Sequence, residues 1–333
     1  MGGISPGFES AASPSSFDDS GGFAALGTSF TDTSDKRSWR RPVACFDKSS
    51  TGRLLPIVLA GLNSRTRGFD GEIAVCHGIC SASAFNPSRL KERQGQNRLH
   101  QLGIEHQQLA LCHLCRSIAG KEQARCTSNW VAVLALLVHA GVQGEIGEWR
   151  THVKALRSLA LANIDMVQHD VVAQVVLESR LCMSVLGDLR DDHVLESMMD
   201  AIPSGPSYME TAHGISRSLL RTIYKIILLA SLTRSGEIFG SEGDQLHLEL
   251  LLHAPGNIST AGLDATSARL LVHYSSIYYD ATLIHFERLI RRRSPTALQR
   301  FVERVVDHLE LIEKESGEPK GCIWVWLCLV TSV

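Results

Sequence analysis

The sequence predicts an all-α fold, an irregular multi-helix bundle that follows a disordered N-terminal tail. From about residue 99 onward, apolar residues recur at the i, i+3 and i+4 spacing of helices that bury one face. Stretches rich in Gly, Pro and Ser separate these segments, as expected where helices end. No segment shows the sustained apolar–polar alternation, enriched in β-branched residues, that is typical of a half-buried strand.

The first third of the chain is predicted to contribute little to the bundle. Residues 1–42 are rich in Ser and Gly and poor in aliphatic residues, a composition typical of disorder. This tail ends in a basic patch, Lys36–Arg41, which is either a nuclear-import signal or a solvated run of charge. Because Gly, Asn and Pro interrupt residues 43–98, we expect this part to be poorly ordered or to form short helices, for example Leu54–Ala60.

Residues 99–333 are predicted to form the helical domain. Asp165 is the expected N-cap of the predicted helix Val167–Leu186, and Gln168 completes a capping box. The polar stretch Asp188–Pro206 is predicted to be a long connection, and Ser294-Pro295 to start the last helix. The predicted helices are Leu99–Ala119, Asn129–Val142, Trp149–Ala162, Val167–Leu186, Ser207–Ser231, Ala268–Arg293 and one that follows Pro295.

The helix Ala268–Arg293 is the most informative of these segments. Apolar or aromatic residues cover most of its circumference, which is the pattern of a helix buried among other helices. We therefore expect Ile284 to be buried. The helix that follows carries a single apolar stripe, which includes Phe301 and Val305.

Composition narrows the possible functions. The 333-residue chain has a formal net charge of -2, so its overall charge gives no reason to expect binding along DNA. No apolar run approaches the roughly 18 residues of a membrane span, and the N-terminus lacks the pattern of a secretory signal. The nine scattered cysteines do not form the dense, even set of a disulfide framework. An intracellular, soluble protein without a membrane partner is expected.

No catalytic constellation stands out in the sequence. Cys112 and Cys115 have CxxC spacing, but a second ligand pair is missing unless Cys76 and Cys80, with His77 between them, complete the set. We therefore predict no metal site. Gly3–Gly7 is interpreted as a chance match to a catalytic serine motif. Asp191-Asp192-His193 is interpreted as a solvated turn or a helix cap. Gly236–Gly243 is interpreted as a loop whose acidic residues would repel phosphate.

Arg291–Arg293 form a second basic cluster. Helix C-capping is the favoured interpretation, with nuclear import or a phosphate contact as the alternative. The sequence thus predicts no enzyme, and no catalytic, cofactor-binding or DNA-binding residue.

Several segments resemble the fungal-specific transcription factor domain, the helical regulatory region downstream of a binuclear zinc cluster in many fungal regulators. The resemblance is carried by Tyr278–Arg288, Trp149–Leu156, Asn86-Pro87 and Gly321–Trp326. It implies a structural core of family-like helices. The residues implied in that core are Trp149, His152, Tyr278, Tyr279, Ile284, Phe286, Phe301 and Val305.

Two departures limit what the resemblance implies. The sequence has no six-cysteine basic cluster, so neither zinc nor direct, sequence-specific DNA binding is carried over, and no cofactor is expected in this chain. The family also continues with several helices beyond the point where this sequence stops. We therefore expect a chain truncated at its C-terminal end.

The resemblance implies a regulator-like protein in the nucleus. Its expected partners are proteins of the transcription machinery or a small-molecule effector. The alternatives are a helical adaptor or scaffold in the cytoplasm, with no role in transcription, and a non-functional gene-model fragment.

Overall fold

The computed structural model describes residues 56–62, 69–90, 96–120, 123–143, 146–186, 193–205, 207–234, 240–255 and 258–316. Within these ranges the chain is helical and has no strand, which confirms the all-α fold. The predicted tail of residues 1–42, including the basic patch, lies outside them, as does Gly321–Trp326. None of the helices in the described ranges combines the length and apolarity needed to cross a membrane.

Eleven labelled α-helices make up most of the described chain. A 3-10 helix, Ile164–Gln168, lies between the fourth and fifth, and residues 56–62 are also helical. The helices are α1 Asp70–Leu90, α2 Gln96–Ala119, α3 Thr127–Gln143, α4 Ile146–Ala162, α5 Val171–Leu186, α6 His193–Ala201, α7 Tyr208–His213, α8 Arg217–Arg234, α9 Gly240–Leu251, α10 Ala265–Leu289 and α11 Pro295–Ser316.

The expectation of at most short helices in residues 43–98 was wrong, because α1 spans 21 residues there. Helix α1 packs against both α2 and α3. Gly78, one of the glycines expected to interrupt residues 43–98, lies at the contact with α3, where an added Cβ would be 2.9 Å from the Cβ of Ala135. A glycine inside a helix can thus serve close helix packing rather than a break.

Helix α3 lies at the centre of this first group of helices. Its side chains from Ser128 to Leu137 are all buried. The apolar segment predicted as the helix Asn129–Val142 is therefore a buried helix. Trp130 is fully buried and is the largest side chain in this part of the core. Burial of so large an aromatic side chain makes Trp130 a main source of hydrophobic stabilisation for these helices.

The N-cap predicted for the helix Val167–Leu186 was misplaced by five residues. Asp165 lies inside the 3-10 helix, and α5 begins only at Val171. Asp170 is the residue whose carboxylate accepts hydrogen bonds from the backbone N–H groups of Val172 (2.8 Å) and Ala173 (3.2 Å). Both aspartates satisfy the sequence rule for an N-cap, and the rule alone does not distinguish them.

The interval predicted as a long connection also contains structure. Helix α6, His193–Ala201, lies within Asp188–Pro206, and its apolar residues Leu195 and Met198 are buried. The segment Ser207–Ser231 is likewise two helices rather than one. Ser207 caps α7, and Gly214 ends α7 in the left-handed conformation, with φ of 73°.

Helices α10 and α11 form an antiparallel hairpin. Arg269 near the start of α10 pairs with Glu315 near the end of α11, while Asp280 pairs with Arg304 further along. Pro295 is the first residue of α11, as the Ser294-Pro295 signal predicted. Every side chain of α10 from Ser275 to Ile284 is buried, so this helix belongs to the core.

Replacing Ile284 by Ala should lower the free energy of unfolding by about 2–5 kcal/mol, because the side chain is fully buried and its removal leaves a cavity. Val272, which is exposed on the same helix, provides the control. Val272→Ala should change stability by less than about 0.5 kcal/mol. Urea unfolding of both variants measures the difference, and equal effects would place Ile284 outside the core.

Candidate functional site

The family-like residues fall into two groups in the structure. Tyr278, Tyr279, Ile284 and Phe286 are buried in α10, and Phe301 and Val305 are buried on the inner face of α11. Trp149 and His152 are only half-buried, on α4. Trp130 is buried more deeply than Trp149. The resemblance did not imply Trp130 as a core residue, although Trp130 lies in the strongly apolar segment that forms α3.

Arginines cover two core phenylalanines, Phe286 and Phe301, near the turn of the hairpin. The guanidinium of Arg291 lies 5.5 Å from the ring centroid of Phe286, on which His247 also stacks. Arg304 lies 4.9 Å from the ring centroid of Phe301. A cation over an aromatic face is attracted by the ring electrons, so these arginines have structural roles.

The candidate metal ligands do not form a site. Cys112 and Cys115 are exposed on α2, whereas the Cys76 thiol is buried and donates to the carbonyl of Val58 at 3.1 Å. No group of three or more His, Cys, Asp or Glu side chains within the described residues has an arrangement that could hold a metal ion.

The structure also locates parts of the remaining motifs. His193 is the first residue of α6 and Gly240–Gly243 form the first turn of α9. Gly3–Gly7 and the pair Asp191-Asp192 lie outside the described residues.

The structure does bring three histidines together between α1 and α2. The Nδ1 atoms of His77 and His106 are 2.8 Å apart, and the ring of His113 stacks 5.8 Å from that of His77. His113 Nδ1 lies 2.8 Å from a carboxylate oxygen of Asp70. His106 and His113 are seven residues apart and therefore lie two turns apart on one face of α2, a signal that a search limited to adjacent turns does not detect.

The short distance between His77 and His106 requires at least one neutral ring. One Nδ1–H donates to the bare Nδ1 of the other ring, and protonation of both would place two N–H groups against each other. Burial, together with the nearby His106 and His113, lowers the pKa of His77 from 6.5 to about 4. Burial also lowers the pKa of His106 and lowers that of His139, which bonds to Ser81 in the same group of helices, to about 4.

These buried histidines should make the fold sensitive to acid. Their folded-state pKa values lie below the unfolded value of 6.5, so between pH 6.5 and about 4 the unfolded chain binds more protons. Stability is therefore complete above pH 6.5 and is lost as the pH falls through this window. Urea midpoints at about pH 8 and about pH 5 measure the loss.

A matched pair of variants tests this assignment. His77→Asn should reduce the dependence of the urea midpoint on pH, whereas His169→Asn, at an exposed position, should leave it unchanged. A wild-type midpoint that is the same at both pH values would contradict the prediction.

A second buried polar cluster joins α5, α7 and α8. The carboxylate of Glu178, only 4% exposed, accepts hydrogen bonds from the Ser207 hydroxyl (3.0 Å), the Met209 backbone N–H (3.2 Å) and Arg217 Nε (3.0 Å). Arg217 Nη2 pairs with the same carboxylate, and its Nη1 donates to the Pro203 carbonyl at 2.7 Å. With its lone pairs occupied by these donors, Glu178 acts as a structural anchor. The presence of a carboxylate in the mostly apolar segment Val171–Leu186 is the sequence signal that was missed.

A small cavity lies beside this ion pair. Its volume is about 20 Å³, room for about one water molecule. Methionine side chains contribute to its wall, and their flexible thioethers can adjust to irregular space. The cavity is lined by Glu178, Leu181, Met199, Ile202, Ser207, Met209, Ile215, Arg217, Leu220 and Arg221.

Arg291–Arg293 line an open surface cleft of about 700 Å³ at the turn between α10 and α11. Arg291 lies near the carboxylates of Asp244 (3.4 Å) and Glu287 (3.6 Å), and Arg293 Nε lies 3.4 Å from Glu287. The arginines follow the last residue of α10 rather than forming its final turn. Carboxylates of the same chain therefore neutralise much of the charge of Arg291 and Arg293.

Helix α9 and the turn that follows it expose three leucines on one side. Leu248, Leu251 and Leu252, which we call the leucine surface, are 64%, 47% and 76% exposed. Leu246 and Leu250 of the same segment are buried, so α9 is apolar on both its inner and outer sides. Large exposed apolar side chains that lie together often mark a surface for binding another protein.

The comparisons with known proteins identify the family. No curated protein and no solved structure matches this chain. A family model described as the fungal specific transcription factor domain matches residues 51–333, which is most of the chain and includes every helix described above. This match agrees with the helical architecture and with the resemblance carried by α4 and α10. The chain belongs to the fungal specific transcription factor domain family.

Proposed function

We propose that this chain is the regulatory, non-DNA-contacting region of a transcription regulator and that it works in the nucleus by binding a protein of the transcription machinery. The family suggests a regulator role and is not a family of enzymes. The observation that supports protein binding is the leucine surface of α9. Leucines at i, i+3 and i+4 suit the apolar face of a partner helix.

A small-molecule effector is the second type of partner that the family suggests. The cavity beside Glu178 would be its site, but a volume of about 20 Å³ admits no organic effector unless the helices move apart. The leucine surface, by contrast, is accessible without any rearrangement. We therefore favour the protein partner.

The proposal predicts an effect on transcription when the chain is fused to an unrelated DNA-binding domain at a reporter promoter. Replacing Leu248 and Leu252 together by Asp should abolish that effect, because charge on both leucines prevents apolar contact. Val306, an exposed apolar residue on α11, provides the control, and Val306→Asp should leave the effect intact.

Localisation separates this proposal from the adaptor alternative. A fluorescent fusion of the chain should accumulate in the nucleus. A cytoplasmic distribution with stable non-nuclear partners, together with an unresponsive reporter, would favour an adaptor or scaffold without a role in transcription. Equal loss of reporter activity with the Leu and Val306 variants would show that the leucine surface has no special role.

A further inference from the structure

Among the described cysteines, Cys112 and Cys115 are the ones whose side chains are exposed. Both belong to α2, three residues apart, so their side chains lie on neighbouring turns of one face with Cβ atoms about 5–6 Å apart. Cys76, which is buried, and Cys80, which is half-buried, are chemically different, because desolvation raises the pKa of Cys76 to about 12 and that of Cys80 to about 11. A thiol that stays protonated and inaccessible reacts slowly with oxidants.

We propose that Cys112 and Cys115 form a dithiol modification site that a low-molecular-weight disulfide oxidises reversibly to an intrahelical disulfide. The thiolate of one cysteine attacks the small disulfide, which forms a mixed disulfide and releases one small thiolate. The thiolate of the other cysteine then attacks the protein sulfur of that mixed disulfide and releases the second small thiolate. Two protein thiols are oxidised and one small disulfide is reduced to two thiols.

The helix makes the resulting bond easy to reduce again. A disulfide requires Cβ atoms about 3.5–4.5 Å apart, which is closer than successive turns of a regular helix hold them. Closing the bond must therefore deform the turn from Cys112 to Cys115. Strain in the oxidised form favours reduction, and strained, exposed disulfides are typically the labile ones.

The deformed turn also contains a contact that holds α2 against α1. His113 lies between the two cysteines, and its Nδ1 is 2.8 Å from the Asp70 carboxylate at the start of α1. His113 also stacks on His77 of α1. Oxidation of the exposed dithiol should thus weaken a buried contact on the opposite side of α2 and lower the stability of the α1–α2 pair.

Equilibration in mixtures of reduced and oxidised glutathione, followed by acid quenching and peptide mapping, tests the chemistry. Cleavage after Arg98 and Arg116 releases residues 99–116, a peptide in which Cys112 and Cys115 are the only cysteines. In oxidising mixtures this peptide should lose the mass of two hydrogen atoms, and dithiothreitol should restore them. Free thiols, or glutathione retained on the wild-type peptide, would overturn the proposal.

Matched serine variants test the coupling to stability. Cys112→Ser and Cys115→Ser are near-isosteric changes at exposed positions and should fold normally, but each should stop at the mixed disulfide. The Tm of the oxidised wild-type protein should lie several degrees below that of the reduced form, whereas Cys126→Ser should retain the full shift. A disulfide that forms without any change in Tm would overturn the coupling through His113.

Discussion

Arg217→Met should be among the most destabilising substitutions of a charged residue in this chain, lowering the free energy of unfolding by about 3 kcal/mol. The methionine fills similar space but leaves the buried carboxylate of Glu178 without its cationic partner. An uncompensated buried charge is expensive because the interior cannot replace the lost solvation. The estimate is at the low end of the range for buried pairs, because the Arg217 side chain keeps 27% exposure.

Arg221, one turn further along α8, provides a matched control. It also pairs with a carboxylate, that of Asp200, but these two side chains are 41% and 63% exposed. Arg221→Met should therefore lower stability by less than about 1 kcal/mol. Urea unfolding of both variants gives the comparison. Equal destabilisation would show that burial of Glu178 does not determine the strength of the pair.

Gly214→Ala should lower the free energy of unfolding by about 2–4 kcal/mol, the sum of two separate effects. The residue ends α7 with a positive φ, a conformation in which a Cβ is strained. An added Cβ would also lie 2.6 Å from the backbone nitrogen of Ser275 and 3.1 Å from the carbonyl oxygen of Leu271, both in α10. Backbone atoms of a packed helix cannot move aside as a flexible side chain can.

A second glycine separates these two effects. Gly262 has a φ of 83°, but an added Cβ there would meet nothing within 4 Å. Gly262→Ala should therefore show the strain alone, about 1 kcal/mol. Chemical denaturation of the two variants gives the packing contribution as the difference between them. If the two glycines proved equally sensitive, the contact between Gly214 and α10 would carry no energy.

The sequence predicted helices α2 to α4, α10 and α11 but missed α1, α6 and α9, and the difference has a physical reason. Helix α10 is apolar around most of its circumference and α11 starts with Ser-Pro, so both are specified by local signals. Helix α1 was missed because its glycines were interpreted locally as breaks. Gly78 is required by α3, a partner distant in sequence, and no local rule contains that information.

The buried polar clusters could be predicted even less. Glu178 is stabilised by groups on α7 and α8, and the histidine cluster depends on the packing of α1 against α2. A search for catalytic motifs tests spacing along the chain, whereas these contacts are set by tertiary structure. The sequence could have indicated only that polar residues interrupt apolar helical faces. Such residues need hydrogen-bond partners when they are buried, but the sequence does not identify those partners.

The close crossing of α1 and α3 at Gly78 restricts how this region can respond to a partner. Because Gly78 has no side chain and packs against the Cβ of Ala135, a shift of α1 along its axis would drive its larger neighbouring side chains into Ala135. The two helices should therefore move together as one rigid body. Any rearrangement would then be concentrated in the shorter helices α6, α7 and α9, where a hinge needs to alter only a few backbone angles.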